Sequence, residues 1–298
     1  MKLAPILLFT YNRPEHTRRT LEALKRNFLA TESDLFVFSD AAALEEDYTG
    51  VHQTRCLINE ISGFKSVTVI EREKNLGLAA SIISGVTDLI GRFGRVIVLE
   101  DDLETSPNFL QFMNSALSYY AENEEVMHIS GYMFPVDSKE LPTTFFLRPT
   151  TCWGWGTWAS SWRYFVKDAD FYIKTFTKKM IADFNLQHSN PYFSHLIANK
   201  RGELNTWAIF WYASCFLRGG LSLHPRDSFV HNIGMDSSGV HCNATDKYDV
   251  ELVRDASVEF SSNLILESAA CRALEEFYIR TNKFSIKRFL SRQVSKFV

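Results

Sequence analysis

The sequence predicts an α/β fold, a mixed but mostly parallel sheet with helices on both faces. Over the first 130 residues, short β-branched or aromatic runs alternate with helix-length amphipathic stretches, the pattern of strands joined by crossover helices. The 298-residue chain is 46% hydrophobic and 22% charged with only 14 Gly and 8 Pro, so it belongs with folded globular chains and has length enough for a sizeable core. No internal repeat or flexible linker is visible, and the second half reads as an extension of the first; a two-domain split is the alternative that length allows.

Strands are expected at Pro5 to Phe9, Leu35 to Ser39, Ser66 to Glu71, Arg95 to Leu99 and Val126 to Ser130. Between them, helices are expected at Pro14 to Phe28, where the proline takes a first-turn position, and at Thr49 to Ser62, Leu78 to Phe93 and Pro107 to Tyr120. After residue 135 the pattern loosens into a Trp- and Gly-containing segment, Cys152 to Trp162, and two helical stretches. A strong helix from Thr206 to Arg218 then ends at Gly219-Gly220, before a strand-like Leu221 to His224. In sheets of this kind ligands sit at the carboxyl ends of the strands, so those ends are where chemistry is sought.

Thirty-two basic against thirty-five acidic residues leave a formal charge of −3, which removes the broad electrostatic footprint of a general nucleic-acid binder. The five cysteines, Cys56, Cys152, Cys215, Cys242 and Cys271, form no C-x-x-C pair, so neither a disulfide framework nor a thiolate zinc site is expected, and a reducing, cytoplasmic setting is favoured. The apolar run Leu3 to Phe9 is too short for a signal peptide or a membrane span.

Chemistry concentrates in Val96-Ile97-Val98-Leu99-Glu100-Asp101-Asp102-Leu103, where an apolar strand runs into three consecutive carboxylates. Like charges this close repel, and the arrangement makes sense if a cation sits among them; the alternative is a solvated acidic turn. One or two carboxylates leave most of a Mg²⁺ ion's coordination to phosphate oxygens and water. Thr10-Tyr11-Asn12-Arg13 leaves the first strand ahead of a helix N-terminus, able to stack a base and offer donors to an anion. Asp40 ends the second strand, where its carboxylate can accept the imide N–H of uracil or cap a turn. Asn75 and Gly77 open a helix that also carries Ser81, where the chain can approach a sugar or diphosphate closely.

The runs Pro5 to Pro14, Phe38-Ser39-Asp40, Asn75-Leu76-Gly77-Leu78 and, above all, Val96 to Phe109 (VIVLEDDLETSPNF) resemble the nucleotide-sugar domain of GT-A glycosyltransferases. The likeness is to bacterial family-2-type sugar transferases and to the N-acetylglucosaminyltransferase I family, whose metal motif is also E-D-D. It continues through Trp153 to Trp158, Thr206 to Trp211 and Asn232 to Asp236, covering about residues 4 to 245. The resemblance implies a Rossmann-like GT-A domain with residues 1–132 as its nucleotide-sugar half and residues 133–276 as a helical acceptor and catalytic half. It further implies inverting transfer of a sugar from a nucleoside diphosphate, with Asp102 ligating Mn²⁺ or Mg²⁺ and Glu100 and Asp101 facing the ribose and donor sugar.

The chain departs from that pattern at Ala208, where relatives carry an aspartate after a Trp at the start of the late helix. The general base is then expected at Glu203, just before that helix, or at Asp236, whose Gly- and Ser-rich loop can close over a bound donor. His231 is a candidate to complete the metal shell, and His241 a candidate on the acceptor side; the alternative for each is a structural role, which a lone histidine more often has. Trp153, Trp155 and Trp207 can form an acceptor platform, since flat rings pair with sugar C–H faces; core packing is the alternative, with Trp162 and Trp211 the clearer core members.

Residues 277–298 carry six Lys or Arg, no acid, and apolar Ile286, Phe289, Leu290, Val294 and Phe297 at helical spacing. This basic amphipathic helix either meets the anionic inner face of the cytoplasmic membrane or docks on its own domain. The expected partners are a nucleoside diphosphate sugar, most simply UDP-linked through Asp40, and a glycan or lipid-linked acceptor in bacterial surface polysaccharide synthesis. The competing expectations are a degenerate nucleotide-sugar binder, prompted by Ala208, and a sugar-1-phosphate nucleotidylyltransferase, whose Gly-rich turn after the first strand is missing here.

Overall fold

Four parallel strands, β1 (Ile6–Thr10), β2 (Asp34–Ser39), β3 (Ser66–Glu71) and β4 (Arg95–Glu100), lie in the order β3-β2-β1-β4, linked by α1 (Pro14–Lys25), α2 (Tyr48–Asn59) and α3 (Leu78–Phe93). The structure, a computed structural model, describes residues 2–238, 244–254 and 257–294, with side chains to residue 282. Side chains alternate across β1: Ile6 and Leu8 face a core with Leu24, Val37 and Leu99, while Leu7 and Phe9 face Ile82, Val86 and Phe38 on the other side. Burial on both faces explains why β1, β2 and β4 read as apolar runs, whereas β3, at the sheet edge, alternates apolar with exposed polar residues. The helix α1 stops at Lys25, three residues before its expected end, because the Asn27 side chain takes the carbonyl of Ala23 and also reaches Thr105 Oγ1.

Beyond β4 follow β5 (Leu103–Thr105), α4 (Phe109–Tyr119), β6 (Val126–Ser130), β7 (Thr144–Leu147) and β8 (Trp155–Trp158). Next come α5 (Ala159–Trp162), α6 (Ala169–Thr175), α7 (Lys178–Phe184), α8 (Tyr192–Lys200), α9 (Ala208–Leu217), β9 (Leu221–Pro225), β10 (Val230–Asn232) and α10 (Ser268–Val294). The main sheet has eight strands in the order β3-β2-β1-β4-β8-β6-β9-β7, and β5 pairs with β10 in a separate antiparallel ribbon. The pairs β4–β8, β8–β6 and β9–β7 are antiparallel, so the sheet is mixed.

The largest correction to the sequence reading is β8. The Trp-Gly segment, expected as loose chain, is a buried strand between β4 and β6, pairing Val98 with Trp155 and Arg95 with Trp158. Gly156 lacks a strand-forming side chain because a Cβ there would sit 3.0 Å from both Met113 Cε and the Val96 carbonyl. Trp155 and Trp207 are therefore not an acceptor platform: they are 1% and 3% exposed and stack on each other with centroids 5.2 Å apart, beside Trp162 and Trp211 in the same core.

The helix α10 begins at Ser268, earlier than expected, and buries Ala270, Leu274, Phe277 and Tyr278 against the sheet, with Tyr278 and Tyr192 sharing a 2.7 Å hydroxyl hydrogen bond. This part of the helix docks on its own fold. The apolar positions Ile286, Phe289, Leu290, Val294 and Phe297 lie outside the described side chains. Among the described residues no helix is long and apolar enough to cross a membrane.

Candidate functional site

The carboxylates Glu100, Asp101 and Asp102 emerge where β4 ends, beside the end of β1, with Glu100 in register with Phe9. Asp101 and Asp102 are only 4% and 8% exposed, and one guanidinium joins them: Arg13 Nη2 donates to Asp101 Oδ1 and, at 2.8 Å, to Asp102 Oδ2. Further bonds fix the turn, from the Tyr11 N–H to Asp101 Oδ2 at 3.4 Å, from Thr20 Oγ1 to the Asp101 carbonyl at 2.8 Å, and from the Ile233 N–H to the Asp102 carbonyl at 2.8 Å. Gly234 lies against the Asp102 carboxylate so closely that any Cβ there would collide with it.

Among the described residues one guanidinium faces these three carboxylates, which leaves them short of positive charge. Burial, with Asp102 and Asp101 adding repulsion that Arg13 only partly offsets, pushes the Glu100 carboxyl up to about 8. Burial likewise pushes Asp101 up to about 6 against the pull of Arg13. Arg13 is held above its ordinary range, because the two aspartates outweigh its own desolvation. Among the described residues no donor reaches Glu100 or Asp102 Oδ1.

Those unpartnered carboxylate oxygens are the hard donors that Mn²⁺ or Mg²⁺ takes, and a site filled mostly by water and phosphate needs only one or two of them, so the residues present fit such an ion. Among the described residues no three His, Cys, Asp or Glu side chains are grouped to hold a metal by themselves. His231 lies on β10 opposite Glu104, one pair along the ribbon from Asn232 and Leu103, and its Nδ1 is buried without a hydrogen-bond partner. His241 lies outside the described residues.

The turn after β1 is preorganised by Asp47, which sequence reasoning missed. Tyr11 Oη donates to Asp47 Oδ2 at 2.7 Å and accepts from the Ala43 N–H at 2.9 Å, while Asn12 Nδ2 donates to Asp47 Oδ1 at 2.6 Å. Burial, reinforced by the bond to Asp47, raises the Tyr11 phenol to about 12. Thr10 Oγ1 is buried without a hydrogen-bond partner. Asp40 turns inward onto the chain, its carboxylate accepting from the backbone N–H groups of Ala41, Leu76 and Gly77 at 2.9 to 3.1 Å and lying 3.5 Å from Ser81 Oγ. It is a staple for the turn ahead of α3, the capping alternative open at the sequence level. Asn75 ties the same turn to the Ala41 carbonyl at 2.7 Å, and Gly77, at φ 74°, has nothing within 4 Å of the place its side chain would fill.

The two base candidates part company. Asp236, two residues on from the Gly234 that packs on Asp102, accepts from the Ser238 N–H at 2.9 Å and meets His16 Nε2 at 3.1 Å. Hydrogen bonds from Ser238, with His16 adding its charge, hold it down at about 2. Glu203 is exposed in the turn between α8 and α9, where its ion-pair partner is Arg201 at 3.8 Å. Trp153 is partly buried, edge-on to Tyr132 and Tyr248 with centroids 4.6 and 5.4 Å away. His16 was also missed; its signal is the i, i+3 spacing from Arg13 at the start of α1.

Solved structures offer weak likenesses. Staphylococcus aureus TarS 1-349 in complex with UDP-GlcNAc is 17% identical, covers 48% of this chain and 37% of its own, and has a TM-score of 0.33. The mannosyltransferase PcManGT from Pyrobaculum calidifontis, in complex with GDP-Man and Mn²⁺, is 10% identical over 72% of this chain and 70% of its own, at a TM-score of 0.39. Mouse xyloside xylosyltransferase 1, in its apo form, is 12% identical over 71% of this chain and 80% of its own, at 0.35. The match to TarS thus spans little more than a third of that chain, 37%. No protein-family model and no curated protein matches this sequence.

Proposed function

We propose that this chain is an inverting, metal-dependent glycosyltransferase that moves a sugar from a nucleoside diphosphate to a hydroxyl of a glycan or lipid-linked acceptor. The observation that carries the reading is the run of Glu100, Asp101 and Asp102 at the end of β4, with the Arg13 guanidinium joining the two aspartates. Asp102, with Glu100 beside it, would hold Mn²⁺ or Mg²⁺, which supplies neutralisation of charge on the departing diphosphate. Arg13 keeps Asp101 and Asp102 oriented before any ligand arrives. Tyr11 and Asn12, locked by Asp47, form a rigid rim for the nucleoside, and the open space at Gly77 admits a sugar or phosphate against the backbone.

Proton transfer from the acceptor falls to Asp236 in this reading. To take a proton near neutral pH, that carboxylate must first part from Ser238 and His16. A nucleotide-sugar binder without turnover is the second reading, favoured by Ala208, whose methyl packs toward the tryptophan core.

The test is to incubate the protein with a panel of nucleotide sugars and Mn²⁺ and to follow nucleoside diphosphate release. Metal-dependent release that Asp102→Ala abolishes is expected. Binding without release would replace the transferase with a binder, and exchange of pyrophosphate would replace it with a nucleotidylyltransferase.

A further inference from the structure

Five of the six tryptophans are buried, and Trp153 is the exception. Trp155 pairs with Val98 in antiparallel register, so two steps back from Trp155 and two forward from Val98 bring Trp153 to the end of the sheet where Glu100 stands. The adjoining Cys152 thiol is raised by burial and by repulsion from Glu100, which agrees with that placement. Trp153 meets Tyr132 and Tyr248 with ring centroids 4.6 and 5.4 Å away, yet among the described residues its indole N–H has no hydrogen-bond partner. Next along this aromatic row comes Lys247, whose Nζ lies 4.9 Å from the Tyr248 ring centroid and 5.6 Å from those of Phe277 and Tyr278. The three rings attract the ammonium without carrying a formal charge, and among the described residues no carboxylate pairs with it. Desolvation holds this half-buried group below the ordinary lysine range. A cation so placed gains from any anion that reaches it.

We propose that Trp153, Tyr248 and Lys247 form an acceptor subsite for a sugar bearing an anionic group, a phosphate or a carboxylate. The indole N–H donates to a sugar hydroxyl, the aromatic row receives the apolar C–H surface of the ring, and the Lys247 ammonium takes an anionic oxygen. The subsite rests on the transferase reading, and it narrows the acceptor from any hydroxyl to one carried by a charged sugar.

Glucose, glucose 6-phosphate and glucuronate, titrated against the full chain and followed by saturation-transfer NMR, test the subsite. The native protein should bind one or both charged sugars about 10-fold more tightly than glucose, the weight of one charge-assisted hydrogen bond, and the sugar that gains says whether phosphate or carboxylate is read. Lys247→Met, which fills similar space against the rings, should erase that preference, while Lys247→Arg keeps it. Trp153→Phe, which removes the N–H and keeps a ring, should weaken all three sugars alike. Equal binding of the three by the native protein overturns the subsite, as does a preference that survives in Lys247→Met or native affinities in Trp153→Phe. Release of nucleoside diphosphate from nucleotide sugars is scored separately. A charged-sugar preference without any release overturns the transferase and leaves a glycan-binding subsite, whereas release without the preference overturns the subsite alone.

Discussion

The acids of the site are set against the stability of the fold that holds them. Glu100 is raised to about 8 because burial and two neighbouring aspartates disfavour its charge, so Glu100→Gln should raise the thermal midpoint while lowering metal-dependent turnover. A scanning calorimetry trace showing no rise would mean that Glu100 is not under electrostatic strain. Arg13→Met should act oppositely, leaving two buried carboxylates without their cation at a cost of about 3–5 kcal/mol, readable as a lower midpoint in urea. Much at this scale was legible. An apolar strand running into three acids announced an unmet positive charge, and Arg13 was expected to meet an anion. In the structure that anion is the chain's own Asp101 and Asp102. Asp47 was not legible, because it meets Tyr11 from 36 residues away and no local pattern marks such a pairing.

Among the elements, the βα alternation of the first 130 residues carried enough periodic signal to place five strands and four helices to within a few residues. It failed where glycine and tryptophan occupy a strand. Gly156 in β8 has no side chain to signal a strand, yet its bare Cα lets Met113, Leu117 and the Val96 carbonyl close in. Gly156→Ala should therefore destabilise the protein by about 1–3 kcal/mol through overpacking, with a lower urea midpoint as the readout. A neutral result would show that β8 and α4 can separate without loss. Asp40 teaches the converse: a strand-end acid looks free in sequence, but here the turn before α3 already fills it with backbone donors.

Across the whole molecule, buried histidines set the response to acid. His128 is wedged between Trp211 Nε1, which donates to its Nδ1 at 3.0 Å, and the Thr151 carbonyl, which accepts from its Nε2 at 3.1 Å; burial lowers it from 6.5 to about 3. His224, donating to the Pro149 carbonyl, is lowered from 6.5 to about 4, again mainly by burial. Below 6.5 the unfolded chain binds protons that the native protein refuses, so stability is full above that pH and falls as pH drops toward 3, by about 1.4 kcal/mol per pH unit for each histidine. Glu100 has the reverse sign: its stabilising proton is lost as pH rises from 4.5 to about 8. Urea midpoints measured across pH should thus fall on the acid side, and Glu100→Gln should flatten only the alkaline slope. An unchanged acid slope in His128→Gln would remove His128 as its source.

The placement of β8 bears on how the molecule comes into being. A ribosome releases β4 long before Trp155–Trp158, and it also delivers β6 first, which must wait a strand's width away with a gap between. Until the late segment slots into that gap, the strand bearing the acids has one bare flank, open to stray pairing with other nascent chains. Completion of the sheet around β4 is thus tied to the order of synthesis, and a polypeptide cut short before Trp155 would emerge with its acid-bearing strand half dressed.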